Sequence, residues 1–167
     1  MASFVKFGRY RGSFRTPTIP RSGDTARSPS DRPRSALRRV QPVKILIADH
    51  DTLFRQLLAA TLRGREGYEI LTANDGLEAL EIARRERPRL IILDFLLARR
   101  DGIETCRTLK SDPVTADIIV MLLTAPGYGL TREHAEAAGA DAFVTKPYSP
   151  SRLLDQIEQF AGSGEAQ

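Results

Sequence analysis

A chain of 167 residues, 41% of them hydrophobic, is long enough for one domain with a substantial core. Its formal net charge of +4 hides a division: residues 1–41 hold ten Lys and Arg against two Asp, a balance of +8, and the rest of the chain carries −4. No apolar run approaches the roughly 18 residues that span a bilayer, no signal-peptide core follows Met1, and a single cysteine excludes an internal disulfide and agrees with a cytoplasmic location.

Residues 1–41 are rich in Arg, Ser, Pro and Gly and lack a sustained apolar period, so they are expected to form a disordered basic extension. Its charge suits weak contact with anionic polymers, and its composition also matches a transit peptide. From Val43 the apolar period alternates. Val43 to Ala48 reads as a strand, and Leu53, Phe54, Leu57, Leu58 and Leu62 recur at helical spacing until Gly64 and Gly67 interrupt. Tyr68 to Thr72 is a short second strand. Asn74 or Asp75 then caps a helix carrying Leu77, Leu80, Ile82 and Ala83, which Pro88 stops.

Leu90 to Asp94 is a third strand, and Asp101 opens a third helix through Lys110, on which Cys106 falls in step with Ile103 and Leu109 as a small buried residue. Ile118 to Leu123 is the fourth strand. Gly127 and Gly129 make the next connection flexible, Thr131 to Ala138 is a fourth helix ending at Gly139, and Ala142 to Thr145 is a fifth strand. Ser149-Pro150 starts a last helix with Leu153, Leu154, Ile157 and Phe160 inward. The expected organisation is an α/β domain over 42–162, a doubly wound parallel sheet with helices on both faces, followed by a flexible tail at 163–167.

Chemistry in such a sheet collects at the carboxyl ends of the strands. Asp49 and Asp94 close the first and third strands, and Thr124 and Lys146 close the fourth and fifth. Two acids, a hydroxyl and an ammonium on one rim point to phosphoryl chemistry.

These residues, with Asp101-Gly102, Thr124-Ala125, Ala138-Gly139-Ala140-Asp141 and Lys146-Pro147 in this order and spacing, resemble the receiver domains of two-component response regulators. The resemblance covers about Val43 to Phe160. It implies a flavodoxin-like five-stranded sheet of order 2-1-3-4-5 and a signalling domain rather than an enzyme. Asp94 would accept a phosphoryl group from a sensor histidine kinase or a phosphotransfer protein. Lys146 and Thr124 would stabilise the transferring oxygens, and Mg²⁺ would be held by Asp49, Asp94 and the main-chain carbonyl of Leu96. It also implies a cis Lys146-Pro147 bond and a switch in which Thr124 moves toward the phosphoryl group and Phe143 turns inward. Phe143 is otherwise an ordinary buried strand aromatic. Downstream protein targets, or a second copy in a homodimer, would meet the fourth helix, fifth strand and fifth helix. Since only residues 161–167 follow Phe160, the expectation is a stand-alone receiver.

Two positions depart from the family pattern. His50 stands where a second acid usually supplies a metal ligand, and imidazole suits Mn²⁺ or another transition metal better than Mg²⁺. Asp51 is the nearby acid that could compensate. Ala98 stands where the family usually has proline. Two rival functions follow: a degenerate receiver that binds a partner without being phosphorylated, and a haloacid-dehalogenase-like phosphatase with Asp49 as nucleophile and Asp51 as general acid/base. The phosphatase reading leaves Asp94 and Asp101-Gly102 without a role.

Overall fold

The structure, a computed structural model, describes residues 4–6, 41–125 and 131–162. Five parallel strands, β2 (Val43–Ala48), β3 (Tyr68–Ala73), β4 (Leu90–Asp94), β5 (Ile119–Thr124) and β6 (Ala142–Thr145), alternate with helices α1 (Thr52–Arg63), α2 (Gly76–Glu86), α3 (Gly102–Ser111), α4 (Arg132–Ala137) and α5 (Pro150–Gly162). Their order across the sheet is β3-β2-β4-β5-β6, which in chain order of the parallel strands is the expected 2-1-3-4-5. The element boundaries match the apolar period to within a residue or two. Gly127 and Gly129, and the tail at 163–167, lie outside the described residues.

The N-terminal segment departs from expectation. Phe4–Lys6 forms a further strand, β1, paired antiparallel with β6 in the register Phe4↔Val144, Val5↔Phe143 and Lys6↔Ala142. A three-residue pairing needs no long apolar period, because it draws on the unpaired amides and carbonyls of an edge strand. The sheet therefore has six strands, and β6 is not its edge. The other residues of the 1–41 segment lie outside the described ones.

Each central strand is buried on both faces, and every residue of β4 and β5 is buried. One face packs Leu46, Ile91, Leu93, Val120 and Leu122 against α2, α3 and α4. The other packs Ile45, Ile47, Ile92, Met121 and Leu123 against α1 and α5. Cys106 is fully buried between α3 and the sheet.

The inner stripe of α1 is not the one its leucines suggested. Arg55, Leu58, Ala59 and Leu62 face the sheet, whereas Leu53 and Leu57 are 78% and 69% exposed. Asp51, Asp75 and Asp101 cap α1, α2 and α3, the first two each accepting two first-turn amides and Asp101 that of Glu104. Gly102 permits α3 to start under the end of β4, for a Cβ there would meet the Asp94 carbonyl oxygen at 2.4 Å.

Candidate functional site

Strands β2 and β4 are neighbours in parallel register, Ala48 opposite Leu93, so the next residues, Asp49 and Asp94, emerge side by side. From β2 the chain crosses outward to β3, and from β4 it crosses the opposite way to β5. The two carboxylates thus sit at the point where the winding reverses, where an open α/β sheet forms its crevice. Both are buried, at 0% and 2% exposure.

Lys146 reaches over from the end of β6, its Nζ 3.3 Å from Asp94 Oδ1 and 3.5 Å from Asp49 Oδ2. The Lys146-Pro147 peptide is cis, as the resemblance implied. The ammonium also lies 5.1 Å from the centre of the Phe54 ring, which meets Tyr148 edge-on at 6.0 Å, so an aromatic wall flanks one side of the site. Burial, with Asp49 and Asp94 nearby, pushes the Tyr148 hydroxyl well above its ordinary pKa, leaving it a neutral donor.

His50 lies inside the cluster. Its Nδ1 is 2.6 Å from Asp94 Oδ2 and 3.6 Å from Asp49 Oδ1. Asp51 does not substitute for it, because its carboxylate caps α1 by accepting from the amides of Leu53 and Phe54, while its own amide donates to Asp49 Oδ1 at 2.8 Å. An acid engaged in this way is not poised as the general acid/base that the phosphatase reading requires.

Thr124 ends β5 beside the site, 2% exposed, and its hydroxyl donates to the Ala125 carbonyl at 3.2 Å. Phe143 is 5% exposed and packs into the core on the α2–α4 face. Leu96 lies half-buried in the loop after Asp94. The structure thus gathers Asp49, His50, Asp94 and Lys146, with Thr124 at their margin.

Arg55 was missed in the sequence. Its guanidinium is buried below the cluster, donating to the main-chain carbonyl of Asp49 and, at 2.6 Å, to Asn74 Oδ1. The signal was present: Arg55 shares a helical stripe with Leu58, Ala59 and Leu62, and a cation on an inner stripe must have buried acceptors.

Desolvation dominates the electrostatics of Asp49. Burial raises its pKa above the usual carboxylate range and Asp94 adds to the rise, against the Asp51 amide, Lys146 and His50. Two buried carboxylates with a single ammonium suit a divalent cation, and Asp49, His50 and Asp94 each offer a ligand atom, all within 4.8 Å of one another. The nitrogen donor tilts that set away from Mg²⁺, which prefers oxygen, toward Mn²⁺ and its neighbours.

A doubly wound sheet with two acids at the switch point and a lysine on a cis-proline turn is the arrangement of a receiver domain. The chain belongs to the response regulator receiver domain family, whose model matches residues 45–158. It is 41% identical over 118 residues to the transcriptional regulatory protein PdtaR of Mycobacterium tuberculosis, covering 70% of this chain and 56% of that protein. Identity to the alkaline phosphatase synthesis transcriptional regulatory protein PhoP of Bacillus subtilis is 40% over 115 residues, 69% of this chain and 47% of that one. The chain spans about half the length of the curated relatives it matches. Among solved structures, the chemotaxis response regulator CheY4 of Vibrio cholerae superposes with a TM-score of 0.65 at 28% identity, covering 72% of this chain and 99% of that one. The signal receiver domain of a histidine kinase from Syntrophus aciditrophicus gives 0.67 at 30% identity, covering 74% and 93%. No helix among the described residues is long and apolar enough to cross a membrane.

Proposed function

We propose that this chain is a cytoplasmic receiver that accepts a phosphoryl group on Asp94 from the phosphohistidine of a sensor kinase or phosphotransfer protein, and that it signals by protein contact. The observation that carries the reading is the convergence of Asp49 and Lys146 on Asp94, with Lys146 Nζ 3.3 Å from an oxygen of the acceptor. In the transfer an Asp94 oxygen forms the new O–P bond as the donor's N–P bond breaks, and the imidazole leaves with a proton. Lys146 holds positive charge beside the oxygens that gain negative charge. Thr124 supplies a hydroxyl at the same rim, and Arg55 fixes the backbone under Asp49. A divalent ion held by Asp49, Asp94, the Leu96 carbonyl and His50 would supply further charge neutralisation.

Leu53 and Leu57 stand one turn apart and exposed on α1, beside the rim, and suit the apolar flank of a helical donor. On the α4–β6–α5 side β1 already pairs along β6, so a downstream target or a second copy would meet α4 and α5 there rather than a free strand edge. A stand-alone role and a role within a longer protein are equally compatible with this chemistry.

The 2.6 Å contact from His50 to Asp94 Oδ2 favours one second reading, in which the imidazole occupies the acceptor oxygen and the domain works as a phosphorylation-independent interaction module. Acetyl phosphate with Mg²⁺ or Mn²⁺, followed by intact-mass and peptide analysis, separates the two. Phosphoacceptance requires one added phosphoryl group on Asp94 that Asp94→Asn abolishes. An unmodified wild-type protein under both metals leaves the interaction module.

A further inference from the structure

The loop between β4 and α3, residues 95–101, begins beside the acceptor and closes beneath it. Gly102 donates its amide to the Phe95 carbonyl at 2.9 Å, and Leu97 is anchored in the core. In the outer part, Ala98 to Arg100, Arg100 ties back to α3 by donating to Thr108 Oγ1 at 3.3 Å, while Ala98 and Arg99 are exposed and stand outside the core. This part is brought against the start of α2, 24 positions away in the chain, by three independent features. Arg99 donates from Nε to Asp75 Oδ2 at 2.9 Å, and its Nη2 lies 2.7 Å from the same oxygen. Arg99 holds a left-handed φ of +62°, a conformation that non-glycine residues adopt only where the surroundings impose it. Gly76 lets the two backbones meet, since a Cβ there would lie 2.3 Å from the Arg100 carbonyl oxygen, and its amide faces the Ala98 carbonyl at 3.4 Å.

Asp75 thereby has two tasks. One oxygen, Oδ1, accepts the Leu77 and Glu78 amides and caps α2, and the other receives Arg99. The fixed φ of a proline at position 98 would restrain this loop from within; with Ala98 the restraint comes from across the cleft. We propose that Arg99 and Asp75 are positioning residues for the Asp94 site: their ion pair latches the loop to α2 and so fixes the Leu96 carbonyl for a metal held by Asp49 and Asp94. The inference rests on the metal site of the proposed receiver, Asp49 and Asp94, and not on the phosphoryl transfer itself.

Two single variants isolate the latch. Arg99→Gly tolerates the left-handed φ but removes the ion pair, and Asp75→Asn keeps a competent cap for α2 while removing the charge. The full chain and both variants, with their double variant, are compared by hydrogen exchange of the 95–102 peptides, by calorimetric titration with Mn²⁺ and Mg²⁺, and by phosphorylation with acetyl phosphate as metal is varied. Exchange should accelerate in 95–102 and not throughout the chain. Metal affinity should weaken about threefold to tenfold, the scale of a partly exposed ion pair acting on a ligand from outside the ligand set. The phosphorylation rate at saturating metal should stay near wild type, and the double variant should be no worse than the weaker single one. Unchanged metal affinity, additive losses, or exchange that rises uniformly across the chain each overturn the latch. If wild-type Asp94 takes up no phosphoryl group while exchange and affinity shift as described, the acceptor reading fails and the latch stands.

Discussion

His50→Asp tests the electrostatic account of the site most directly. In the wild-type protein two buried carboxylates face one ammonium, and an imidazole nitrogen fills the third position, 2.6 Å from Asp94 Oδ2. The His50 side chain is 51% exposed, so a water-like dielectric is the appropriate one for a charge placed there. A new carboxylate about 4 Å from a divalent ion then contributes about 2 kcal/mol, or a roughly thirtyfold gain in Mg²⁺ affinity. Without metal the same charge repels two carboxylates that have ligand atoms within 4.8 Å, by about 0.9 kcal/mol each, with about one of these offset by Lys146. Loss of the His50–Asp94 hydrogen bond removes about 1 kcal/mol more. The metal-free variant should therefore melt roughly 6–10 °C lower, and Mg²⁺ should restore more stability to it than to the wild type. Scanning calorimetry without metal and isothermal titration with Mg²⁺ and Mn²⁺ measure both halves, and the preference for Mn²⁺ should narrow as the nitrogen donor disappears. Mg²⁺ affinity within threefold of wild type, together with an unchanged Tm, would refute the reasoning, because position 50 could not then be the third ligand position of the site.

The raised pKa of Asp49 sets a pH dependence with a definite sign. A carboxyl whose folded pKa lies above its unfolded value makes the folded state bind more protons, so stability falls as pH rises from the unfolded value, near 3.9, through the folded one. In metal-free buffer Asp49→Asn should remove that component, so the wild-type minus variant stability should decline across this window; a flat difference between their Tm–pH curves argues against it. Deleting residues 1–41 removes β1, whose edge hydrogen bonds contribute about 1 kcal/mol each and are offset by the roughly 1–2 kcal/mol per residue needed to order it. Tm should stay within a few degrees, and a larger fall would mean that more than a short edge pairing is lost. Burial pushes the Cys106 thiol up to about 12, so it should react with a thiol reagent only after denaturation; rapid labelling of the native protein would place it at the surface.

The alternation of apolar runs and helical stripes is a local property of the chain, and it specified the five parallel strands and the five helices, with Asp101 opening the third and Asn74 or Asp75 the second. It also put Asp49, Asp94, Thr124 and Lys146 at strand ends, since in a parallel sheet all carboxyl ends share one rim. What it could not specify was the direction in which each side chain points from that rim. Thr124 turns its hydroxyl to Ala125. His50 turns into the cluster, and Asp51, one residue on, turns out of it to cap α1. The leucines of α1 form two overlapping helical stripes, and only packing against the sheet decided that Arg55, Leu58, Ala59 and Leu62 are inside and Leu53 and Leu57 outside. The pairing of Arg99 with Asp75 and the docking of Phe4–Lys6 on β6 join residues far apart in the chain, 24 positions in the first case and well over a hundred in the second. Such contacts follow from where the chain crosses itself. Periodicity reports which residues share a face, and tertiary structure alone reports what that face meets.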